Sequence, residues 1–172
     1  NKGWFKGLTH GKWPLSRLVV TVIDVLLLLI FLVVTVAGMG ISNYLLRDIM
    51  PLDIQRSIAL HQYHVSLPYL FLILSGIHWG LHWKGWTAQW KRVFCPTGEF
   101  SVPVWVKAVF SVVIIAGGIY SLFINQVGDR LMMKHIFATA ATGLPGELYT
   151  LFLLSLLGLY VLVGIIAGRV IK

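Results

Sequence analysis

Apolar residues fall in four long runs, and the short stretches between them hold most of the charge. The runs cover about residues 18–46, 58–83, 102–124 and 148–170. A bilayer core needs roughly 20 apolar residues in helical form, and all four meet that length. Lipid cannot satisfy free backbone N–H and C=O groups, so a spanning segment of this kind must be helical. The first run contains LVVTVIDVLLLLIFLVVTVAGMGI, too long for a signal-peptide core or an ordinary soluble helix. The pattern predicts an all-α integral membrane protein, a four-transmembrane-helix bundle forming a single membrane domain over 1–172.

Composition agrees. Of the 172 residues, 58% are hydrophobic and 12% charged, with a mean hydropathy of +0.83. Soluble domains sit near one half and one quarter. The net charge of +8 does not point to nucleic acid, because the basic residues flank the runs instead of forming one patch. In that position they report topology. Lys2, Lys6, Lys12, Arg17, Lys84, Lys91, Arg92, Lys107, Arg169 and Lys172 fall on one side, against Arg47, Arg56, Arg130 and Lys134 on the other. Both termini are therefore expected in the cytoplasm. Trp4, Trp13, Trp83, Trp86, Trp90 and Trp105 then gather at the cytoplasmic interface as an aromatic belt. The segment from Arg130 to Glu147 is apolar enough to form a short amphipathic helix on the outer surface. The single cysteine, Cys95, rules out an intrachain disulfide and covalent c-type haem attachment.

The second run changes the picture most. LHQYHVSLPYLFLILSGIHWGLHWKGW holds four of the six histidines: His61, His64, His78 and His82. Ionisable residues inside a span are costly, so four on one helix call for a chemical reason. His64 and His78 are 14 apart, which on a helix means about 40° of rotation and roughly 21 Å of rise. That separation suits axial ligands to two b-type haems, one in each half of the bilayer. His64 and His82 share a face but stand roughly 27 Å apart, nearly the full hydrocarbon thickness. His78 and His82, one turn apart, cannot each hold a haem. His64 and His78 are thus the metal-ligand candidates. His82 is open to three roles: a bond to a haem propionate, proton uptake at a quinone pocket, or replacement of His78 as ligand. His61, one turn outside His64, has similar freedom. Gly76 and Gly80, at small-xxx-small spacing, allow a flat macrocycle or another helix to come close. Pro68 is expected to kink the helix.

A six-coordinate b haem needs a second axial ligand, yet the other three runs contain no histidine. His135 on the outer side and His10 in the N-terminal tail are the remaining histidines, with Met39, Met50, Met132 and Met133 as weaker candidates. NKGWFKGLTHGKWPLSRLVVTVIDVLLLLIF, LHQYHVSLPYLFLILSGIHWGLHW and AGGIYSLFINQVGDRL together resemble the membrane cytochromes associated with flavinylated electron-transfer systems, a family long filed as a domain of unknown function. The most specific part of the likeness is H-x13-H-x3-H-W, from His64 to Trp83. The resemblance implies di-haem electron transfer in a bacterial or archaeal cytoplasmic membrane, beside a flavin- or iron–sulfur-bearing partner. It also implies a further N-terminal helix, bearing a His-Glu pair and a later His, whose end would fall near Asn1. On that reading His64 and His78 are half a ligand set, completed by an N-terminal hairpin or a partner subunit.

Two readings are open for Asp24, a lone acid inside the first run: an interface residue bonded to Lys or Trp, or a proton acceptor near an inner haem or quinone. Arg56 and Lys84, at opposite ends of the histidine helix, are candidate propionate partners, though snorkelling alone would place them there. The function expected from these features is electron transfer between a quinone and a redox partner, as a subunit whose own enzymatic status the sequence leaves open. The alternatives are a haem-binding anchor subunit of a larger redox complex and a transporter using the histidines as a relay.

Overall fold

The computed structural model describes residues 13–42, 44–46, 48–94, 102–136 and 143–171. Its elements are α1 (Leu15–Ile41), α2 (Leu52–Gln55), α3 (Ile58–Leu81), α4 (Trp83–Phe94), α5 (Val104–Ile124), α6 (Val127–Leu131) and α7 (Gly146–Val170). Helices α1, α3, α5 and α7 are long and apolar enough to cross a membrane, so the chain is an all-α integral membrane protein. Pro14, Pro51, Pro103 and Pro145 sit at the N-caps of α1, α2, α5 and α7. Each fixes φ and ends the preceding chain in an extended conformation, which sets the start of the helix.

Two boundaries differ from expectation. The first helix ends at Ile41, not near residue 46, because Ser42 turns extended and its hydroxyl accepts from the amides of Tyr44 and Leu45. Such local side-chain bonds compete with helix continuation. The described part of the outer loop also departs from an amphipathic helix. After the single turn of α6, residues 132–136 and 143–145 are irregular, and Met133 has φ 56°. The remainder of that loop, like His10 and Cys95, lies outside the described residues. Pro68 leaves α3 continuous, although it offers no N–H to the carbonyl of His64 four residues back.

The bundle is assembled in the spatial order α1–α3–α7–α5. Helix α7 thus inserts between α3 and α5, running parallel to α3 and antiparallel to α5. Contact between α3 and α7 is made through glycines. A Cβ on Gly76 would meet Tyr160 Cβ at 2.8 Å and the Leu157 carbonyl at 2.9 Å. One on Gly80 would run into the Val161 carbonyl and lie 2.8 Å from Gly164 Cα. In lipid, where apolar surface gains little by leaving one apolar medium for another, close backbone approach of this kind is a main source of helix association. On α1 the surface toward α3 is the heptad-spaced set Ile23, Ile30 and Ala37, closed by Gly40, all buried. The many exposed apolar side chains elsewhere, such as Leu28, Phe31 and Val36, face where acyl chains belong.

At the end of the bundle away from α4, polar groups fasten the α5–α6 turn to α3 and α7. Buried Arg130 donates from Nε to the Asn125 carbonyl at 2.9 Å and lies 5.0 Å over the Tyr69 ring. Tyr69 and Tyr149 hydroxyls meet at 3.2 Å, and Gln62 donates to the Met133 carbonyl at 3.0 Å. On the surface of this turn, a hydrogen bond from Lys134 holds the Asp129 carboxyl below its usual range.

The glycine contact has a direct test. Gly80→Ala is expected to destabilise the protein in detergent by about 1–3 kcal/mol, because backbone on both sides leaves the methyl no room. Gly85→Ala, where nothing lies within 4 Å, should cost nothing in the same thermal or SDS titration. Equal tolerance of both substitutions would refute the close packing of α3 on α7.

Candidate functional site

Helix α3 presents two opposed faces. Gly76 and Gly80 stand on the one that carries α7. His64 and His78 stand on the other, toward α1.

Half-buried His64 places Nδ1 3.1 Å from the carbonyl oxygen of Val34. A carbonyl only accepts, so in the neutral ring this bond puts the proton on Nδ1 and leaves Nε2 as a bare lone pair. Gly38, one turn beyond Val34, provides the seat for the ring. A Cβ at that position would lie 2.6 Å from His64 Cε1 and 2.9 Å from Nδ1. A side chain at position 38 and this imidazole therefore exclude each other.

His78 turns toward the same helix one bilayer leaflet away. Its Nδ1 is 2.8 Å from Asp24 Oδ1, with the two side chains 35% and 39% exposed. The distance is that of an ion pair, while the approach lies off the line of a directed hydrogen bond. The Nδ1 edge is committed to the carboxylate in either case, and Nε2 again points elsewhere. The partner that the described residues give Asp24 is a histidine. The arrangement at both histidines is one acceptor from α1 on Nδ1, a carbonyl at one and a carboxylate at the other. Histidine ligands to metals are commonly oriented in this way.

The remaining candidates fall around this pair. His82 caps α3, exposed, with its ring centroid 4.7 Å from that of His78. It lies at the mouth of the His78 position, too close to serve a separate centre. His61 directs Nδ1 to the carbonyl of Ser57, the N-cap of its own helix, at 2.9 Å. Arg56 is exposed at the C-cap of α2, immediately before α3. Lys84 is exposed on α4. The choice left open at Gly76 and Gly80 is settled by packing. Helix α7 fills the space a Cβ would take, so these glycines are helix contacts and not a bed for a macrocycle. Among the described residues, no three of His, Cys, Asp or Glu converge as a self-contained metal cage. What α3 offers is two single imidazoles, well separated.

Sequence reasoning missed the parts supplied by α1. Val34 acts through its carbonyl, which no side-chain pattern reveals, and Gly38 acts by having no side chain. Asp24 did leave a signal, since a lone acid in a span needs a partner. Its partner is 54 residues away, and only the α1–α3 register identifies it.

In protein labelled with ¹⁵N-histidine and free of cofactor, His64 is expected to give the Nδ1–H tautomer. Gly38→Val should displace the ring, break the Val34 bond and move that resonance toward mixed tautomers. An Nε2–H tautomer in the parent protein, or no response to Gly38→Val, would contradict the geometry. Comparison with family models, curated proteins and solved structures returns no match for this chain.

Proposed function

We propose that the chain is a membrane b-type cytochrome that carries electrons across the bilayer through two haems, with His64 and His78 as one axial ligand of each. The observation that carries this reading is the pair of oriented imidazoles. Each has its Nδ1 edge held by α1 and its Nε2 left for an iron. They are 14 residues apart on one unbroken helix, or roughly 21 Å of rise. Haem fits this donor set better than an ion does, because the porphyrin supplies four of the iron's bonds and asks the protein for one or two.

When bound, the haem supplies the one-electron chemistry. The chain's part is to orient, separate and tune. Val34 and Asp24 fix the rotation of the two rings and raise the basicity of Nε2, the carboxylate more than the carbonyl. The two positions are therefore chemically unequal, which gives an electron a preferred direction of travel. His82 and Arg56 lie at the two ends of α3, where propionates or a quinone headgroup would need hydrogen-bond donors. Among the four spans only α3 holds histidine, so a second histidine for either haem would come from outside α1, α5 and α7. A flavin- or iron–sulfur-bearing subunit and a quinone, in a bacterial or archaeal cytoplasmic membrane with both termini inside, complete the proposal. A histidine-relay transporter is less well supported, since such carriers rely on discontinuous helices at the binding site and α3 runs through Pro68 without a break.

The pyridine haemochrome of protein purified from its native membrane is expected to give two haem b per chain. His64→Ala and His78→Ala should each halve that number. Absence of haem b, or retention of both haems in both variants, would overturn the proposal. Reoxidation of the dithionite-reduced haems by added quinone distinguishes an electron carrier from an inert anchor, in which they would stay reduced.

A further inference from the structure

The loop after α3 opens with a helix of a different kind. Only His82 separates α3 from α4, WKGWTAQWKRVF, whose residues are nearly all exposed and none buried. At 100° per residue, Trp83, Trp86, Trp90, Val93 and Phe94 fall within a sector of about 100°. Trp90 and Phe94 stack at 4.6 Å, and Trp86 reaches back to Trp79 on α3 at 6.0 Å. Lys84, Lys91 and Arg92 lie outside that sector, and the helix contains no acidic residue. It is therefore a short helix with one aromatic face and, elsewhere, charge of one sign only. No other described element covers the aromatic face.

Two observations identify what does. The first is position: α4 begins where an apolar span ends, so it leaves α3 at the depth where hydrocarbon gives way to headgroups. Tryptophan favours that depth, with its ring among acyl chains and its N–H in water. The second is charge. A soluble partner could cover an aromatic face, but a cationic helix without acids, tethered at the bilayer surface, meets lipid headgroups first. We propose that α4 lies in the plane of the membrane, with Trp83, Trp86, Trp90 and Phe94 inserted, and that Lys91 and Arg92 bind anionic lipid headgroups. This is the side to which the basic residues assign the cytoplasm, where anionic lipid attracts such segments. The site would anchor α3 at the His78 end. It stands independently of haem.

The test uses the full chain in nanodiscs of phosphatidylcholine with phosphatidylglycerol. Spin labels are placed at Ala88→Cys and Val93→Cys, each in a Cys95→Ser background. Val93→Cys should be open to oxygen and shielded from a water-soluble nickel relaxant, with the reverse at Ala88→Cys. In native mass spectrometry, Lys91→Gln with Arg92→Gln should lower the ratio of retained phosphatidylglycerol to phosphatidylcholine by about twenty-five-fold. Each basic residue near an anionic surface contributes about a factor of five. Equal aqueous exposure of both labels overturns the in-plane helix. An unchanged lipid ratio in the double variant overturns the anionic-lipid site. Far-UV circular dichroism of each variant shows whether the helices are retained, and neither readout depends on bound haem.

Discussion

Much of what this structure suggests depends on how α1 holds α3. The contact is made by a buried stripe at heptad spacing and two polar groups beside it, the Val34 carbonyl and the Asp24 carboxylate. A backbone carbonyl four residues from the next helical donor is normally occupied, and a carboxylate inside a span is normally absent. Both are directed at imidazole Nδ1 atoms. His64 thereby loses its freedom of rotation and its choice of tautomer together, while His78 is held by charge and proximity to the carboxylate. Moving α1 along α3 by one turn would break both contacts at once, which ties the register of two helices to the chemistry of two side chains.

The other face of α3 explains why that arrangement can be rigid. Gly76 and Gly80 bring α7 against the α3 backbone, so the histidine helix is clamped between a polar contact and a close-packed one. At one end, Arg130, Tyr69 and Gln62 fasten the adjoining turn. At the other, α4 leaves the span. Small residues and histidines segregate to different faces of one helix of 24 residues, and the segregation follows from what each meets: a neighbouring backbone at Gly76 and Gly80, an acceptor on α1 at His64 and His78.

How much of this was legible beforehand varied with the kind of interaction. The four spans could be read because bilayer thickness imposes a length and lipid removes every option but the helix. Their ends could be read less well, since Ser42 stops α1 by a local hydroxyl bond inside a run that is still apolar. The amphipathic α4 has no counterpart in the sequence reading beyond tryptophans in an interfacial belt and basic residues at the span's end, because a 12-residue helix without an apolar run leaves no hydropathy signal. His64 and His78 stood out by type and spacing. Their supports did not, because a carbonyl and a missing side chain carry no compositional mark. Gly76 and Gly80 carried a mark that fitted two occupants, and only the position of α7 distinguished them.

The central claim is that α1 orients and tunes the two histidines separately. Redox titration of the haem-loaded protein, followed by its optical spectrum, tests this most directly when the parent is compared with Asp24→Asn. Replacing the carboxylate by an amide leaves the size of the side chain nearly unchanged but removes the negative charge that, in the proposed haem site, would make His78 a stronger donor to iron. The account requires the midpoint potential of one haem to rise while the other, held through Val34, stays where it was. Equal movement of both potentials, or of neither, would contradict it.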